Sequence, residues 1–272
     1  MGRAPARIRK PPGRGLNLPG PIVDILMYHS ISKRGGATSI APAVFAEQMA
    51  AIARAEVPVI SLDEFLAARE GRVQLAPHSL VLTFDDGFQD FADAAWPVMA
   101  KHGFRPIVYL PTAYVGRVEG WRGIADPPRA LMGWGTIRAL AKEGVTFGSH
   151  TVSHPDLDSL PHDALEAELV QSRSEIEDRL SGQVRHFAPP YGIAGPKVRA
   201  RIAESYHSSV GTRLGQAGQD ADPFDLPRLE MYYFTDIARW RGHLAGRGAA
   251  YLAARRGLRA LKGAAMKPWK GL

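Results

Sequence analysis

The chain has 272 residues, of which 45% are hydrophobic and 22% charged, which suffices to bury the core of one α/β barrel-sized domain. It contains no cysteine, so disulfide bonds and thiolate metal ligands are excluded, and any metal site must use histidine and carboxylate. The formal net charge of +7 is concentrated at the ends: residues 1–23 contain five Arg or Lys, residues 237–272 contain nine, and neither segment contains an acid. The 20 basic and 27 acidic residues between them leave the central body at −7.

Strand-like and helix-like segments alternate along the chain. Strands are predicted at 22–28, 57–61, 79–84, 106–110, 144–148, 185–188 and 207–211. Helices are predicted at 42–55, from Asp63, and at 90–102, 134–143, 162–181 and 196–205. Between them lies an irregular Gly- and Pro-rich stretch, 111–133, whose length indicates a functional or mobile loop. The alternation favours a single α/β barrel with parallel strands.

Two polar clusters follow predicted strands. Asp85 and Asp86 come after the apolar run 79–84, and His150 and His154 come after 144–148. Each pattern also suits an ordinary turn or a chance spacing. The carboxyl ends of parallel strands are, however, where α/β folds assemble active sites.

Two imidazoles and one carboxylate can hold a divalent cation and leave positions for water and substrate, while the second carboxylate can accept a proton. The two clusters therefore predict a metal-dependent hydrolase.

Three segments resemble the motifs of the polysaccharide deacetylases, the NodB-homology or carbohydrate esterase family 4 enzymes. They are Thr83-Phe84-Asp85-Asp86-Gly87, His150-Thr151-Val152-Ser153-His154 and Phe187-Ala188-Pro189-Pro190-Tyr191-Gly192. The resemblance runs from about residue 25 to about residue 230. It implies a distorted (β/α) barrel that removes N- or O-acetyl groups from a sugar. By position, Asp85 would be the general base, and Asp86, His150 and His154 would bind the metal, most simply zinc, with cobalt, nickel or manganese as alternatives.

The third motif departs from the commoner form of this family, because Ala188 stands where an arginine usually orients the base. The usual C-terminal element that supplies an acid is also not evident. An early segment, Ile25 to Ile31, instead resembles the circularly permuted branch typified by poly-N-acetylglucosamine deacetylases, and it suggests His29 as the acid. Arg228, in a β-like segment, is a hypothesis for the missing cation, with a surface arginine as the alternative.

Substrate contacts are expected from the third motif and from the long loop. Tyr191 is the expected oxyanion donor beside Pro190, and Trp121 could stack on the apolar face of a pyranose ring. Two other functions stay open. One is an amidohydrolase of the same fold acting on a small non-carbohydrate amide, and the other is an inactive carbohydrate-binding protein.

The basic ends divide the predicted chain into an extension (1–21), a deacetylase domain (22–236) and a C-terminal segment (237–272). The extension lacks the apolar run of a signal peptide or membrane span, which predicts a cytoplasmic protein. The C-terminal segment predicts an amphipathic helix with Arg255, Arg256, Arg259 and Lys262 on its polar side.

That helix could contact the anionic inner face of a membrane, where the substrate would be an N-acetylated saccharide or glycolipid, or it could cover one end of the barrel. Nucleic-acid binding is not expected, because no fold-specific motif accompanies the charge.

Overall fold

The computed structural model describes residues 20–121 and 127–266, the last five of them by their backbone alone. The predicted N-terminal extension lies outside the described residues up to position 19. Seven parallel strands close a barrel in chain order. They are β1 (Ile22–Tyr28), β2 (His78–Phe84), β3 (Ile107–Leu110), β4 (Thr146–Ser149), β5 (His186–Phe187), β6 (Ser208–Leu214) and β7 (Leu226–Glu230).

Helices surround the strands and cover their outer faces. They are α1 (Pro42–Ala55), α2 (Leu62–Arg69), α3 (Trp96–Lys101), α4 (Trp134–Lys142), α5 (His162–Leu180), α6 (Pro196–Ser205), α7 (Ile237–Gly242) and α8 (Ala249–Met266). The predicted helix 90–102 is divided, because a π-helical turn at Phe91–Ala95 precedes α3. Pro97 explains the division, since it has no N–H to donate to the preceding turn. The predicted barrel is confirmed.

The predicted set of strands was wrong at two places, although the number seven is right. Residues 57–61 form no strand and make one bridge, in which Val59 pairs with Leu80 of β2. The neighbouring strand β3 pairs only with Thr83 and Phe84, so residues 58–60 occupy the part of β2 that β3 leaves uncovered. The seventh strand is β7, which pairs with both β6 and β1 and closes the barrel.

The strands bury both of their faces, so the core has two layers. Alternate residues such as Ile25, Val81 and Tyr109 fill the barrel interior, while Leu26 and Leu82 pack outward against the helices. Because β2 ends at Phe84, this alternation directs the next odd-numbered side chain, Asp85, into the mouth of the barrel.

The C-terminal segment packs against the barrel through its first half. Trp240 is fully buried and donates its indole N–H to the carbonyl of Gln48, and Leu252 is buried in the first turn of α8. Further along α8, Leu258 and Leu261 are 56% and 70% exposed. No described helix is long and apolar enough to cross a membrane. The predicted membrane contact of this segment has no support in the described part of the chain.

A buried polar cluster at the amino-terminal end of the strands fastens this segment. Asp24 Oδ2 lies 2.8 Å from His78 Nε2 and 2.7 Å from His243 Nε2, and Gln216 donates to the other oxygen at 2.8 Å. We call Asp24, His78 and His243 the lower cluster. His243 follows α7, so these bonds join the C-terminal segment to β1 and β2.

Candidate active site

The two aspartates that follow β2 both reach the barrel mouth because the backbone reverses between them. Asp85 continues the strand and donates its N–H to the Tyr28 carbonyl at 2.9 Å. Asp86 then adopts a left-handed conformation with φ of 71°, and Gly87 follows with φ of 68°. The positive φ favours glycine at position 87, and a Cβ there would lie 2.6 Å from Leu110 Cδ2 and displace that side chain.

The two histidines lie on the loop that follows β4. Thr151 and His154 both have left-handed backbones, with φ of 71° and 58°. Glu168 of α5 holds the loop by accepting hydrogen bonds from the N–H groups of Val152 and Ser153 at 2.7 and 2.9 Å. Non-glycine residues in this conformation cost roughly 1–3 kcal/mol each and concentrate at functional sites. The loop therefore carries strain at the histidine that it presents.

Asp86, His150 and His154 converge on one point, and we call them the upper cluster. Asp86 Oδ1 lies 3.4 Å from the Nε2 atoms of both histidines, and all three side chains are buried. His150 Nδ1 lies 2.6 Å from the Ala188 carbonyl, which can only accept, so Nδ1 carries the proton and Nε2 of the neutral ring offers a lone pair.

The upper cluster fits a divalent cation. Ligands about 2.0–2.1 Å from a tetrahedral ion are separated by ~3.3 Å, close to the observed 3.4 Å, whereas an N–H···O hydrogen bond is normally about 2.7–3.2 Å long. With an ionised carboxylate facing a neutral Nε2, two acceptors face each other unless a cation or proton lies between them. His150, Asp86 and His154 are thus the residues that could hold the metal.

The protonation of the upper cluster follows from burial and from its charges. Burial opposes ionisation of Asp86, but the imidazoles of His150 and His154 beside it hold its pKa well below the ordinary value. Burial lowers the pKa of His154, which favours the neutral imidazole that a metal requires. Burial also opposes charge on His150, but Asp86 and Asp85 together raise its pKa, so a proton competes with a cation there.

Asp85 is held by Arg228, which reaches it from β7 across the barrel interior. The guanidinium donates Nη1 and Nη2 to the two carboxylate oxygens, each at 2.7 Å. Arg228 also donates Nε to the Gly211 carbonyl, and its side chain is only 1% exposed. It is therefore not a surface arginine. Burial would raise the pKa of Asp85, but the charge of Arg228 holds it below its usual value.

His29 follows β1 and stands on the other side of Asp85. Its Nε2 atom lies 3.8 Å from Asp85 Oδ2, and its side chain is 16% exposed, so it faces the opening of the site. The structure thus places the predicted acid next to the predicted base, with Arg228 beneath both.

Aromatic rings surround His154 at the mouth of the site. Trp121 stacks on it with ring centroids 4.4 Å apart, and Tyr191 meets it edge-on at 4.8 Å. Tyr114 packs edge-on against Trp121 at 5.0 Å. Tyr191 has a left-handed backbone with φ of 59° and is 42% exposed, whereas the neighbouring Pro190 is buried in the same turn.

The family model described as polysaccharide deacetylase matches residues 72–208, half of the chain, including all three motifs. The chain belongs to the polysaccharide deacetylase family. This membership confirms the predicted family and the predicted class of enzyme.

Relatives and solved structures agree with this membership. The protein YxkH of Bacillus subtilis (strain 168) is 23% identical over 208 residues, which cover 76% of this chain and 70% of YxkH. The chitooligosaccharide deacetylase of Sinorhizobium fredii (strain NBRC 101917 / NGR234) is 26% identical over 152 residues, 55% of this chain and 60% of that protein.

The fold is shared with IcaB from Ammonifex degensii, which has a TM-score of 0.69 at 22% identity and covers 82% of this chain and 98% of that one. The Streptococcus pyogenes deacetylase PplD, solved with acetate, gives a TM-score of 0.68 at 24% identity. The match covers 77% of this chain and 92% of the PplD chain.

Three supporting groups of this deacetylase were not predicted from its sequence. The carbonyl of Ala188 fixes the tautomer of His150, Glu168 holds the histidine loop, and Thr83 accepts a hydrogen bond from Arg228 at 3.1 Å. Glu168 lies in a charged helix, and nothing in its spacing distinguishes it from its solvated neighbours. Thr83 is part of the first motif and lies two residues before Asp85 on the same face of β2. That position was the only sequence signal that Thr83 contacts the group holding Asp85.

Proposed function

We propose that this protein is a metal-dependent deacetylase that removes the N-acetyl group of a saccharide. The supporting observation is the upper cluster, in which the Ala188 carbonyl turns the lone pair of His150 Nε2 toward the carboxylate of Asp86. Two histidines and one aspartate, without cysteine, suit zinc and also cobalt, nickel or manganese.

A divalent cation held by Asp86, His150 and His154 would lower the pKa of a water ligand and polarise the acetyl carbonyl. Asp85 then accepts the proton of the attacking water. Its two oxygens are fixed by Arg228, so the carboxylate keeps one orientation and stays ionised. A carboxylate of low pKa is a weak base, so Asp85 would act through its fixed position rather than through its own basicity.

His29 supplies the second proton transfer in this proposal. The amine is a poor leaving group unless it is protonated, and an imidazole facing the opening of the site, 3.8 Å from Asp85, is suitably placed to protonate it. Tyr191 and Pro190 form the turn beside His154, where the main-chain N–H of Tyr191 would stabilise the oxyanion. Trp121 would provide an apolar wall for the sugar ring.

An oligosaccharide of N-acetylglucosamine is the substrate that we favour, and a glycolipid carrying such a sugar presents the same acetamido group. The Sinorhizobium fredii relative is named a chitooligosaccharide deacetylase, and other relatives are named chitin deacetylases. The aromatic group of Trp121, Tyr114 and Tyr191 supports a ring-shaped substrate.

The test is acetate release from N-acetylchitooligosaccharides by the full chain, before and after removal of metal with EDTA and with zinc, cobalt, nickel or manganese restored singly. We expect release that EDTA abolishes and one of these ions restores. Small cyclic amides form the comparison panel. Hydrolysis of those amides but of no saccharide would overturn the proposed substrate class, and binding of saccharides without release would overturn catalysis.

A further inference from the structure

Behind the turn that carries Tyr191, the surface contains a cleft of about 510 Å³ that the proposed chemistry does not use. Its walls are the end of the third motif, strand β6, and the exposed side of α8. Of the described residues that line it, four are arginines and one is an aspartate, and these are Arg199, Arg213, Arg256, Arg259 and Asp225.

The cleft adjoins the catalytic centre through Gly192. Gly192 directly follows Tyr191, whose ring touches His154, and it also lines the cleft. A side chain at position 192 would lie 2.2 Å from Thr212 Oγ1, so the turn packs tightly against β6. The same short turn therefore forms a wall of both spaces.

The arginines of the cleft are incompletely neutralised. Asp225 Oδ2 lies 3.3 Å from Arg199 and 3.6 Å from Arg213, and Asp222 Oδ2, outside the cleft lining, lies 3.9 Å from Arg199. Arg256 and Arg259 are exposed, and neither has an acidic partner among the described residues. Elsewhere on α8, Arg255 lies over the ring of Tyr233, so the helix directs only some of its arginines to the cleft.

We propose that this cleft binds a phosphate group on the same saccharide whose acetyl group enters the active site. Arginines recognise phosphate through charge-assisted and often bidentate hydrogen bonds, and a phosphate of up to two negative charges matches a cleft with four arginines and one acid. The inference rests on the proposed deacetylase function, whose substrate class it narrows to phosphorylated N-acetylated saccharides. The phosphate belongs either to the glycan itself or to a diphosphate linkage.

The test compares three forms of N-acetylchitotetraose: the neutral sugar, its reducing-end 1-phosphate and its octyl diphosphate. We expect kcat/KM of the wild-type protein to be about tenfold or more higher for at least one phosphorylated form, mainly through KM, because the phosphate lies away from the reacting bond. The better of the two forms identifies the source of the phosphate. Equal values for all three forms would overturn the proposal.

In the variant Arg256→Gln/Arg259→Gln, kcat/KM for the phosphorylated forms should fall to the value for the neutral sugar. The kcat/KM for the neutral sugar should stay unchanged. Glutamine is a good helix former, and both positions lie beyond the buried Leu252 that anchors α8, so folding should be retained. The control variant Arg138→Gln/Lys142→Gln removes the same charge from an exposed face of α4. It should leave the preference for phosphorylated over neutral sugar unchanged. An equal effect of both double variants would indicate general electrostatic attraction and reject the cleft.

The two proposals can fail separately. If the wild-type protein releases acetate from the neutral sugar only, the deacetylase proposal stands and the phosphate site is rejected. If no form is hydrolysed, the deacetylase proposal fails. Calorimetric binding of the 1-phosphate and the neutral sugar to the wild-type and cleft-variant proteins then tests the cleft independently of catalysis. Tighter binding of the 1-phosphate that is lost in the variant supports the cleft, and equal binding overturns it.

Discussion

The upper and lower clusters each consist of one aspartate and two histidines, at opposite ends of one barrel, and they differ in which imidazole nitrogen carries the proton. In the upper cluster the Ala188 carbonyl accepts a hydrogen bond from Nδ1–H of His150, and the Nε2 atoms of both histidines lie 3.4 Å from Asp86. In the lower cluster both Nε2 atoms lie 2.7–2.8 Å from Asp24. Asp24 is an acceptor, so both rings must donate.

The comparison shows that two sets of the same ligand types at similar separations can differ in how well they would accommodate a metal ion. Both sets meet the simple criterion that three ligand atoms lie within 4.8 Å of one another. In the lower cluster, protons already fill the space between the atoms, and Gln216 satisfies the other oxygen of Asp24. In the upper cluster, the 3.4 Å distances and the fixed tautomer of His150 leave space between the three ligand atoms in which a cation would fit.

The largest expected effect comes from removing the carboxylate of each cluster in turn. Asp86→Asn should abolish metal binding and lower kcat about 1000-fold or more, because a catalytic cation contributes several kcal/mol. Asp24→Asn should retain one metal ion per chain. Metal content by mass spectrometry, together with acetate release, checks both. Two ions per wild-type chain, or loss of the ion in Asp24→Asn, would contradict this assignment.

The next prediction concerns the clamp on the base. Arg228→Lys keeps the charge but loses the paired hydrogen bonds to Asp85, and we expect kcat to fall about tenfold or more with KM little changed.

Arg228→Met should also lower stability by about 3–5 kcal/mol, because it leaves Asp85 buried without a partner. Kinetics and urea unfolding of the two variants separate the effect of orienting the Asp85 carboxylate from the effect of the positive charge at position 228. Full activity of Arg228→Lys would show that the orientation of the carboxylate is unimportant.

The lower cluster should make stability depend on acid pH. Burial alone would raise the pKa of Asp24, but the hydrogen bonds from His243 and His78 lower it to about 2. Its ordinary value is about 3.9, so the folded state gains roughly 2–3 kcal/mol that is fully present above pH ~5. This gain is lost as the pH falls from ~5 through about 2.

Urea unfolding of the wild type and of Asp24→Asn between pH 5 and 2.5 measures this contribution. We expect the difference in unfolding free energy between the two proteins to shrink as the pH falls. A constant difference over this range would mean that Asp24 has the same pKa in the folded and unfolded states.

The smallest expected effect concerns the tryptophan that stacks on a histidine in each cluster. Trp121 lies on His154 with centroids 4.4 Å apart, and Trp240 lies on His243 at 5.5 Å. Trp121→Leu should raise KM by about threefold to tenfold with little loss of stability, because the ring lies at the mouth of the site.

Trp240→Leu should lower stability and leave KM unchanged, because Trp240 is fully buried. Thermal unfolding and saccharide KM values for the two variants check the contrast. An unchanged KM in Trp121→Leu would remove this residue from the substrate wall.

The three family motifs and the barrel could be predicted from the sequence because their signals are local. An apolar run followed by Asp85 and Asp86, or by His150, reports both a buried strand and the polar end of that strand. The position of β7 was the exception. The run 57–61 is the more apolar of the two candidate strands, but the pairing of β7 with β1 and β6 closes the barrel.

Only the tertiary structure decided how the two ends of the barrel differ. The sequence placed Asp86, His150 and His154 at strand ends, but Ala188 lies 38 positions after His150, so no local pattern reveals the contact that fixes the imidazole. The lower cluster is more distant still, since Asp24 and His243 are separated by 219 residues and neither belongs to a motif. Local patterns determine strands and the residue types at their ends. Long-range packing decides which atom carries each proton, because a proton's position depends on its nearest acceptor in space.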